Sequence, residues 1–181
     1  MNLIEMTKAD LVWTSRIIEA SAPICGYIIE NEPGQEGGVM CIADSTTGSP
    51  IFVCVYGFTT RTPELDEYIA FAQEKAARLA SRPGDWSSWQ SRDMDTDPKR
   101  YGGAIRVNRL ILSFSGFKEE QDEAAMLVLA LNTELIDRGI AARFVEMSNN
   151  EYFRKLQKAC GIKSPRDTNP LWFRFADEKH P

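Results

Sequence analysis

The 181-residue sequence contains a single histidine, His180, and this scarcity limits the available chemistry. A metal site built on two histidines needs a second histidine, which the sequence lacks. A Ser-His-Asp triad or another His-based catalytic pair needs a histidine in the core, whereas His180 lies one residue from the end of the sequence. Asp93, Asp95 and Asp97 lie close in sequence, but they lack the glycine and the distal glutamate of a calcium loop. We therefore expect no metal site, and it stays open whether the protein is an enzyme.

Cysteines are also few, and basic residues are outnumbered by acidic ones. The four cysteines contain no Cys-x-x-Cys pair, which argues against a disulfide scaffold and against zinc. Lys and Arg total 21 against 26 Asp and Glu, a net charge of -5, so we expect no nucleic-acid and no anionic-membrane partner. The N-terminal residues show no signal-peptide pattern, and every apolar run is shorter than the ~18 residues of a membrane span. The expected location is cytoplasmic.

The N-terminal third predicts a helix followed by β structure. The pattern of residues 7–22 is typical of an amphipathic helix, and Pro23 is expected to end it. Residues 25–29 then predict a strand. Two apolar runs, 39–43 and 50–56, are separated by turn residues and predict a hairpin.

Both faces of the predicted hairpin are apolar, which places it in the middle of a sheet with cover on each side. Centring its turn near Thr47 puts Cys41 opposite Cys54, on one face with Val39, Phe52 and Tyr56. A cross-strand disulfide is geometrically conceivable, but in a reducing compartment two buried thiols are the favoured interpretation.

The remaining sequence predicts alternating helices and strands. Thr62 followed by Pro63 begins a helix that Pro83 ends. The polar stretch 85–100 has no period and predicts a loop or a lid. Further elements are predicted in this order: strands at 104–108 and 110–115, a helix at 119–138, a strand at 141–146, a helix at about 150–160 and an alternating segment at 171–175. The order indicates an α+β sandwich with a mostly antiparallel sheet.

Three short motifs carry a resemblance to a known family. Tyr101-Gly-Gly-Ala-Ile-Arg-Val, Ser113-Phe-Ser-Gly and Glu120-Gln-Asp-Glu-Ala resemble the C-terminal half of the haem-degrading GlcG/HbpS-like family. Upstream, Lys75-Ala-Ala-Arg-Leu-Ala-Ser-Arg-Pro is similar to a helix of that family, and the resemblance covers roughly residues 7–138. It implies a profilin-like sandwich, a central antiparallel sheet flanked by helices. Residues 1–140 would form the GlcG/HbpS-like domain, and residues 141–181 a C-terminal α/β extension packed on the same core.

The resemblance implies an oligomeric protein that binds a small molecule, with haem, iron or a corrinoid as ligand and haem as the candidate cofactor. The expected homo-oligomer also agrees with an apolar surface on all faces of the helix at 124–131. The expected pocket is bounded by the Lys75 helix, the paired glycines and the tryptophan-bearing loop. Its predicted ligand-binding residues are Lys75, Trp86, Trp89, Gly102, Gly103 and Arg106.

Each of these residues also has an ordinary structural explanation. Lys75 could be a solvated lysine, Arg106 could form an ion pair, and Trp86 and Trp89 could cover the core. Two alternative functions follow: a non-catalytic interaction module of the same fold, or an acetyltransferase of the GNAT type, to which residues 110–162 are similar. The latter is disfavoured because the helix start at 119–123 is acidic and has no glycine-rich cradle for coenzyme A.

Overall fold

The computed structural model describes residues 8–58 and 60–161, with side chains described from Thr14 onward. Within these residues, five α-helices and four strands follow one another: α1 (Lys8–Asn31), β1 (Gly38–Asp44), β2 (Pro50–Tyr56), α2 (Pro63–Ala80), β3 (Ala104–Val107), β4 (Leu110–Ser115), α3 (Glu119–Asn132), α4 (Arg138–Ser148) and α5 (Tyr152–Cys160). A 3-10 turn, Ser88–Ser91, lies between α2 and β3. The predicted α+β class with an antiparallel sheet flanked by helices is confirmed.

The four strands form one antiparallel sheet in the order β2-β1-β4-β3. Successive residues of a strand point to opposite faces of the sheet. Val39 and Cys41 accordingly pack on one face with α2, whereas Met40 and Ile42 pack on the other with the remaining helices. We call the first face the α2 side and the second, covered by α1 and α3, the α3 side.

Helix α3 lies at the centre of the larger core, on the α3 side. Every residue from Ala124 to Ala130 is at most 1% exposed. The helix contacts β3 and β4 on one side and α1 and α5 on the other, so the chain covers this helix itself. The apolar surface at 124–131 was expected to need a second molecule, and that reason for an oligomer is wrong.

Helix α1 continues through Pro23 to Asn31, so the predicted helix end and the predicted strand at 25–29 are both wrong. A proline inside a helix costs about 3 kcal/mol because it removes a hydrogen bond and crowds the preceding turn. Ile24, Cys25 and Ile28 follow it at helical spacing and are at most 1% exposed. Burial of each such side chain contributes about 1.5–3 kcal/mol, which together exceeds the cost of the proline.

The hairpin forms where it was predicted, but its register and position differ. Cys41 pairs with Val53, and Cys54 pairs with Met40, one residue away from the predicted alignment. Because a shift of one residue reverses the faces, Cys41 lies on the α2 side and Cys54 on the α3 side. Both thiols are free. β1 is a central strand as expected, whereas β2 is an edge strand.

The chain after α3 is helical as far as the structure describes it. The helix predicted at 119–138 ends at Asn132, and the strand predicted at 141–146 is part of α4. Asp137 begins α4 because its carboxylate accepts a hydrogen bond from the backbone N–H of Ile140 at 2.8 Å. The helix predicted at about 150–160 is confirmed as α5, and the segment at 171–175 lies outside the described residues.

Candidate functional site

Helix α2 brings the candidate side chains to the sheet. Its first turn is fixed by Thr62, whose hydroxyl accepts from the backbone N–H of Leu65 at 3.2 Å, and by Pro63 at the first helical position. Small residues Ala72 and Ala76 face the sheet and are fully buried, which lets the helix approach closely. As a result Lys75, on the same helix, extends inside the protein rather than into solvent.

Lys75 is 1% exposed and makes an ion pair inside the protein. Its Nζ donates to Oδ2 of Asp122 at 2.9 Å and to the backbone oxygen of Phe114 at 2.8 Å. The other carboxylate oxygen of Asp122 accepts from the backbone N–H of Phe117 at 3.1 Å. Burial raises the pKa of the Asp122 carboxyl above its ordinary value, although Lys75 acts in the opposite direction. The pair joins α2 to the first turn of α3.

Gly103 lies against this ion pair and has a positive φ of 109°. A Cβ at this position would lie 2.7 Å from Cβ of Asp122 and 3.1 Å from Nζ of Lys75. At Gly102 a Cβ would lie 2.3 Å from the ring of Trp89. The paired glycines therefore make room for protein side chains.

Arg106 faces the α2 side, opposite Ile105 and Val107, as the alternation along its strand predicts. Its guanidinium donates to four backbone oxygens, which belong to Ser45, Leu79, Arg82 and Asp85. These acceptors lie at the end of α2 and in the two loops beside it. Arg106 thus holds the C-terminal end of α2 against β3.

Trp86 and Trp89 have different neighbours, although they are three residues apart. The Trp86 ring is 40% exposed and lies 5.9 Å from the ring of Phe144 on α4. The Trp89 ring packs on Gly102, and the Arg92 guanidinium lies 5.2 Å from its centre. Among the six predicted ligand-binding residues, the structure therefore brings Lys75 to Gly103, Trp89 to Gly102, and the backbone of Trp86 to that of Arg106.

The connection between α2 and β3 is anchored by Arg78, which is 8% exposed. Its guanidinium donates to the backbone oxygens of Ser88, Ser91 and Tyr101 and to the carboxylate of Glu74. Arginine suits this role because its planar group directs several donors in fixed directions. The segment predicted as a loop is irregular but firmly attached to α2.

An open groove of about 370 Å³ lies beside this anchor, and we call it the arginine groove. Its lining residues are Glu74, Ala77, Arg78, Ser81, Arg82 and Arg100. The groove lies between α2 and the loop, but none of the six residues predicted from the sequence lines it. The sequence does contain part of a signal for it, since Glu74 and Arg78 are four residues apart on α2 and share one face. Arg82 follows at the same interval, just beyond the end of the helix.

A second buried polar cluster, which sequence reasoning missed, surrounds Glu123 on α3. This residue is fully buried, and its carboxylate accepts from the Ser87 hydroxyl at 2.6 Å and from the Asn150 amide at 3.0 Å. Burial raises its pKa, against the opposite effect of these hydrogen bonds. The cluster attaches the 85–101 connection and the start of α5 to α3.

Sulfur and carboxylate groups do not gather into a metal-binding arrangement in residues 8–58 and 60–161. Burial raises the pKa of the Cys41 thiol to about 11 and that of Cys25 further, so both are protonated at neutral pH. In the same part of the chain, the helices are too short or too polar to cross a bilayer.

No family model and no curated protein matches the chain. Among solved structures, the chain is similar to PduOC in its heme complex, with 17% identity and a TM-score of 0.46 over 70% of this chain and 93% of that one. It is also similar to the Ybr137w protein, with 19% identity and a TM-score of 0.40 over 77% and 80% of the two chains. The heme belongs to the PduOC complex.

Proposed function

We propose that this protein binds a small anionic molecule, one with a carboxylate or phosphate group, in the arginine groove. The observation that supports the proposal is the lining itself, in which three arginines meet a single carboxylate. That carboxylate, Glu74, already pairs with Arg78 at 2.7 Å. Among the lining side chains, positive charges therefore outnumber negative ones, although the chain as a whole carries a charge of -5.

The three arginines have different tasks in this proposal. Arg78 is anchored by protein acceptors and contributes a fixed positive charge. Arg82 and Arg100 are exposed, one just after α2 and one near the end of the loop, so an anion between them would be contacted from two sides. Guanidinium groups bind carboxylates and phosphates with two parallel hydrogen bonds, which favours these ligands over halides.

Haem, the ligand implied by the family resemblance, fits this groove poorly. Ala77 is its one apolar lining residue, and the lining contains no histidine, cysteine, methionine or tyrosine that could ligate iron. A tetrapyrrole needs extended apolar walls, which the groove lacks. We therefore propose a small anion rather than haem as the ligand.

The acetyltransferase alternative gains no support from the geometry. Coenzyme A would need free backbone N–H groups at the start of α3. There, the N–H of Phe117 donates to Asp122, and the N–H of Lys118 donates to the side chain of Gln121 at 3.2 Å. Protein acceptors already occupy these donors.

The test uses inorganic phosphate and citrate as probes, with binding followed by amide chemical shifts in NMR. We expect saturable shifts at Ala77, Ser81 and Arg100. The double variant Arg82→Ala/Arg100→Ala should bind at least about tenfold more weakly, because hydrogen bonds to charged groups contribute about 1.5–3 kcal/mol each.

The matched control is Arg143→Ala/Arg154→Ala, which removes two exposed arginines from α4 and α5 and gives the same net charge. Its affinity should stay within about twofold of the wild type, since screening weakens distant surface charges. Shifts that do not saturate, or an equal loss in both double variants, would contradict the proposal. A haem titration that produces a Soret band and shifts the same groove residues would also contradict it.

A further inference from the structure

Two aromatic side chains lie beside the arginine groove. The rings of Phe71 on α2 and Tyr101 in the connection before β3 meet edge to face, with their centres 5.3 Å apart and their planes at 82°. Both residues are half-buried. Neither belongs to the two apolar clusters that the described residues form on the faces of the sheet. The packing of the core therefore does not explain this pair.

The chain places the aromatic pair next to the groove. Phe71 lies one helical turn before Glu74 and two turns before Arg78, and residues at these spacings share one face of a helix. Tyr101 directly follows Arg100, and its backbone oxygen accepts a hydrogen bond from the Arg78 guanidinium. The surface beside α2 therefore changes from cationic to aromatic along the helix.

The order of the side chains along α2 indicates the shape of a ligand. From just beyond the end of the helix toward its start come Arg82, Arg78, Glu74 and Phe71, which are two cations, a carboxylate and a ring. At 1.5 Å per residue, Arg78 and Phe71 are about 10 Å apart along the helix axis. A ligand that contacts both ends therefore needs a spacer between its anion and its ring, and Glu74 lies beside that spacer.

A nucleotide has these three parts in this order. Its phosphate accepts two parallel hydrogen bonds from a guanidinium, and its planar base stacks on aromatic rings. The sugar between them carries hydroxyl groups, from which a carboxylate such as that of Glu74 can accept hydrogen bonds. In an aromatic acid such as benzoate, by contrast, the carboxylate is bonded directly to the ring, so that one molecule is too short to contact both ends.

We infer that the anion of the arginine groove is a nucleoside monophosphate, with its phosphate between Arg82 and Arg100 and its base against Phe71 and Tyr101. This inference rests on the proposed function, because it assigns a ligand class to the same groove. It adds the two aromatic residues to the site.

Adenosine monophosphate (AMP) and ribose 5-phosphate test the inference, because they share the phosphate and the sugar and differ in the base. Both should shift the amide signals of Ser81 and Arg100 in NMR, whereas AMP alone should shift those of Phe71 and Tyr101. AMP should bind at least about fivefold more tightly than ribose 5-phosphate, since a base gains affinity by stacking on an aromatic ring. Adenosine, which lacks the phosphate, should bind at least about tenfold more weakly than AMP.

The double variant Phe71→Leu/Tyr101→Leu removes the rings but keeps apolar side chains. Its affinity for AMP should fall to within about twofold of its affinity for ribose 5-phosphate, because the base loses its contact. The matched control is Phe58→Leu/Tyr68→Leu, which removes another pair of one Phe and one Tyr, with ring centres 6.0 Å apart, from the cluster on the α2 side. It should retain the preference for AMP. Circular dichroism checks that each variant is folded.

The results separate this inference from the proposed function. If ribose 5-phosphate shifts the groove residues and AMP binds no more tightly, the inference is overturned and the proposed function stands. If neither compound shifts them, both are overturned. A preference for AMP that survives in Phe71→Leu/Tyr101→Leu places the base elsewhere and also overturns the inference, as does benzoate that binds as tightly as AMP.

Discussion

On the α3 side of the sheet, the stretch of α3 from Ala124 to Ala130 packs between strands and helices through apolar side chains alone. On the α2 side, three long cations, Lys75, Arg78 and Arg106, reach from α2 and β3 to specific carboxylates and carbonyl oxygens. Apolar packing has little directional preference, whereas a buried cation is stable only with its acceptors in place. The α3 side therefore supplies bulk stability, and the α2 side positions the loop and the groove.

The largest effect that we expect from this difference comes from Lys75→Ala. Removal of the cation leaves the carboxylate of Asp122 buried without its partner, which costs about 3–5 kcal/mol in the free energy of unfolding. Urea denaturation followed by circular dichroism measures this loss.

The double variant Lys75→Met/Asp122→Asn is the control for Lys75→Ala. Its neutral amide can still accept from the backbone N–H of Phe117. Since no buried charge remains, it should be less destabilised than Lys75→Ala. Equal or additive losses would show that the pair contributes through packing rather than charge, and would remove the contrast between the two sides.

Conservative substitutions on the two sides should lower the free energy of unfolding by different amounts, and both losses should be smaller than that of Lys75→Ala. Arg78→Lys should cost at least about 2 kcal/mol, because a single ammonium cannot reach the acceptors at Ser88, Ser91 and Tyr101 together. Leu127→Met in α3 should cost less than about 1.5 kcal/mol, since it conserves volume. Amide hydrogen exchange should accelerate over residues 88–101 in the first variant alone. Equal exchange in both would contradict an anchoring role for Arg78.

The smallest effect concerns Glu123, a buried acid beside the apolar core. Because burial raises its pKa above the ordinary value of 4.5, the folded state binds more protons than the unfolded state just above that pH. The stability contributed by this group is therefore present at low pH and is lost as the pH rises through the raised pKa. Glu123→Gln cannot ionise. Its free energy of unfolding should therefore increase relative to that of the wild type as the pH rises over this range.

Unfolding measured in urea from pH 4.5 to 8 checks this dependence for Glu123→Gln. Glu146→Gln, which alters an exposed carboxylate on α4, is its control. A difference between Glu123→Gln and the wild type that does not vary with pH would contradict the assignment.

Local signals in the sequence predicted elements correctly where one or two residues fix the backbone conformation. Thr62 with Pro63 predicted the start of α2, and the turn residues after Ala43 predicted the hairpin. Pro23 was misleading because its local cost is smaller than the burial of the residues after it, which depends on α3. The hairpin register also escaped prediction, since a bulge between Ile42 and Ala43 shifts the pairing.

The candidate site was less accessible to prediction than the fold. The six ligand-binding residues suggested by the sequence remain a prediction, because the structure shows internal partners for them without testing a ligand. The groove depends on Arg100 of the loop lining the same space as Arg82, which follows α2, and no periodicity relates two such distant positions. The spacing of Glu74, Arg78 and Arg82 was the part that the sequence contained.

The sequence by itself determined the scarcity of histidine, the α+β class and most element positions, because composition and short-range patterns depend on neighbouring residues alone. Tertiary structure decided whether Lys75 reaches solvent or a carboxylate, and which strand lies at the open edge of the sheet. Both outcomes depend on residues far apart in the chain: Lys75 meets Asp122, and β1 pairs with β4 as well as with β2. The energy of a buried charge or an unpaired strand is set by such distant partners, so only the folded chain defines it.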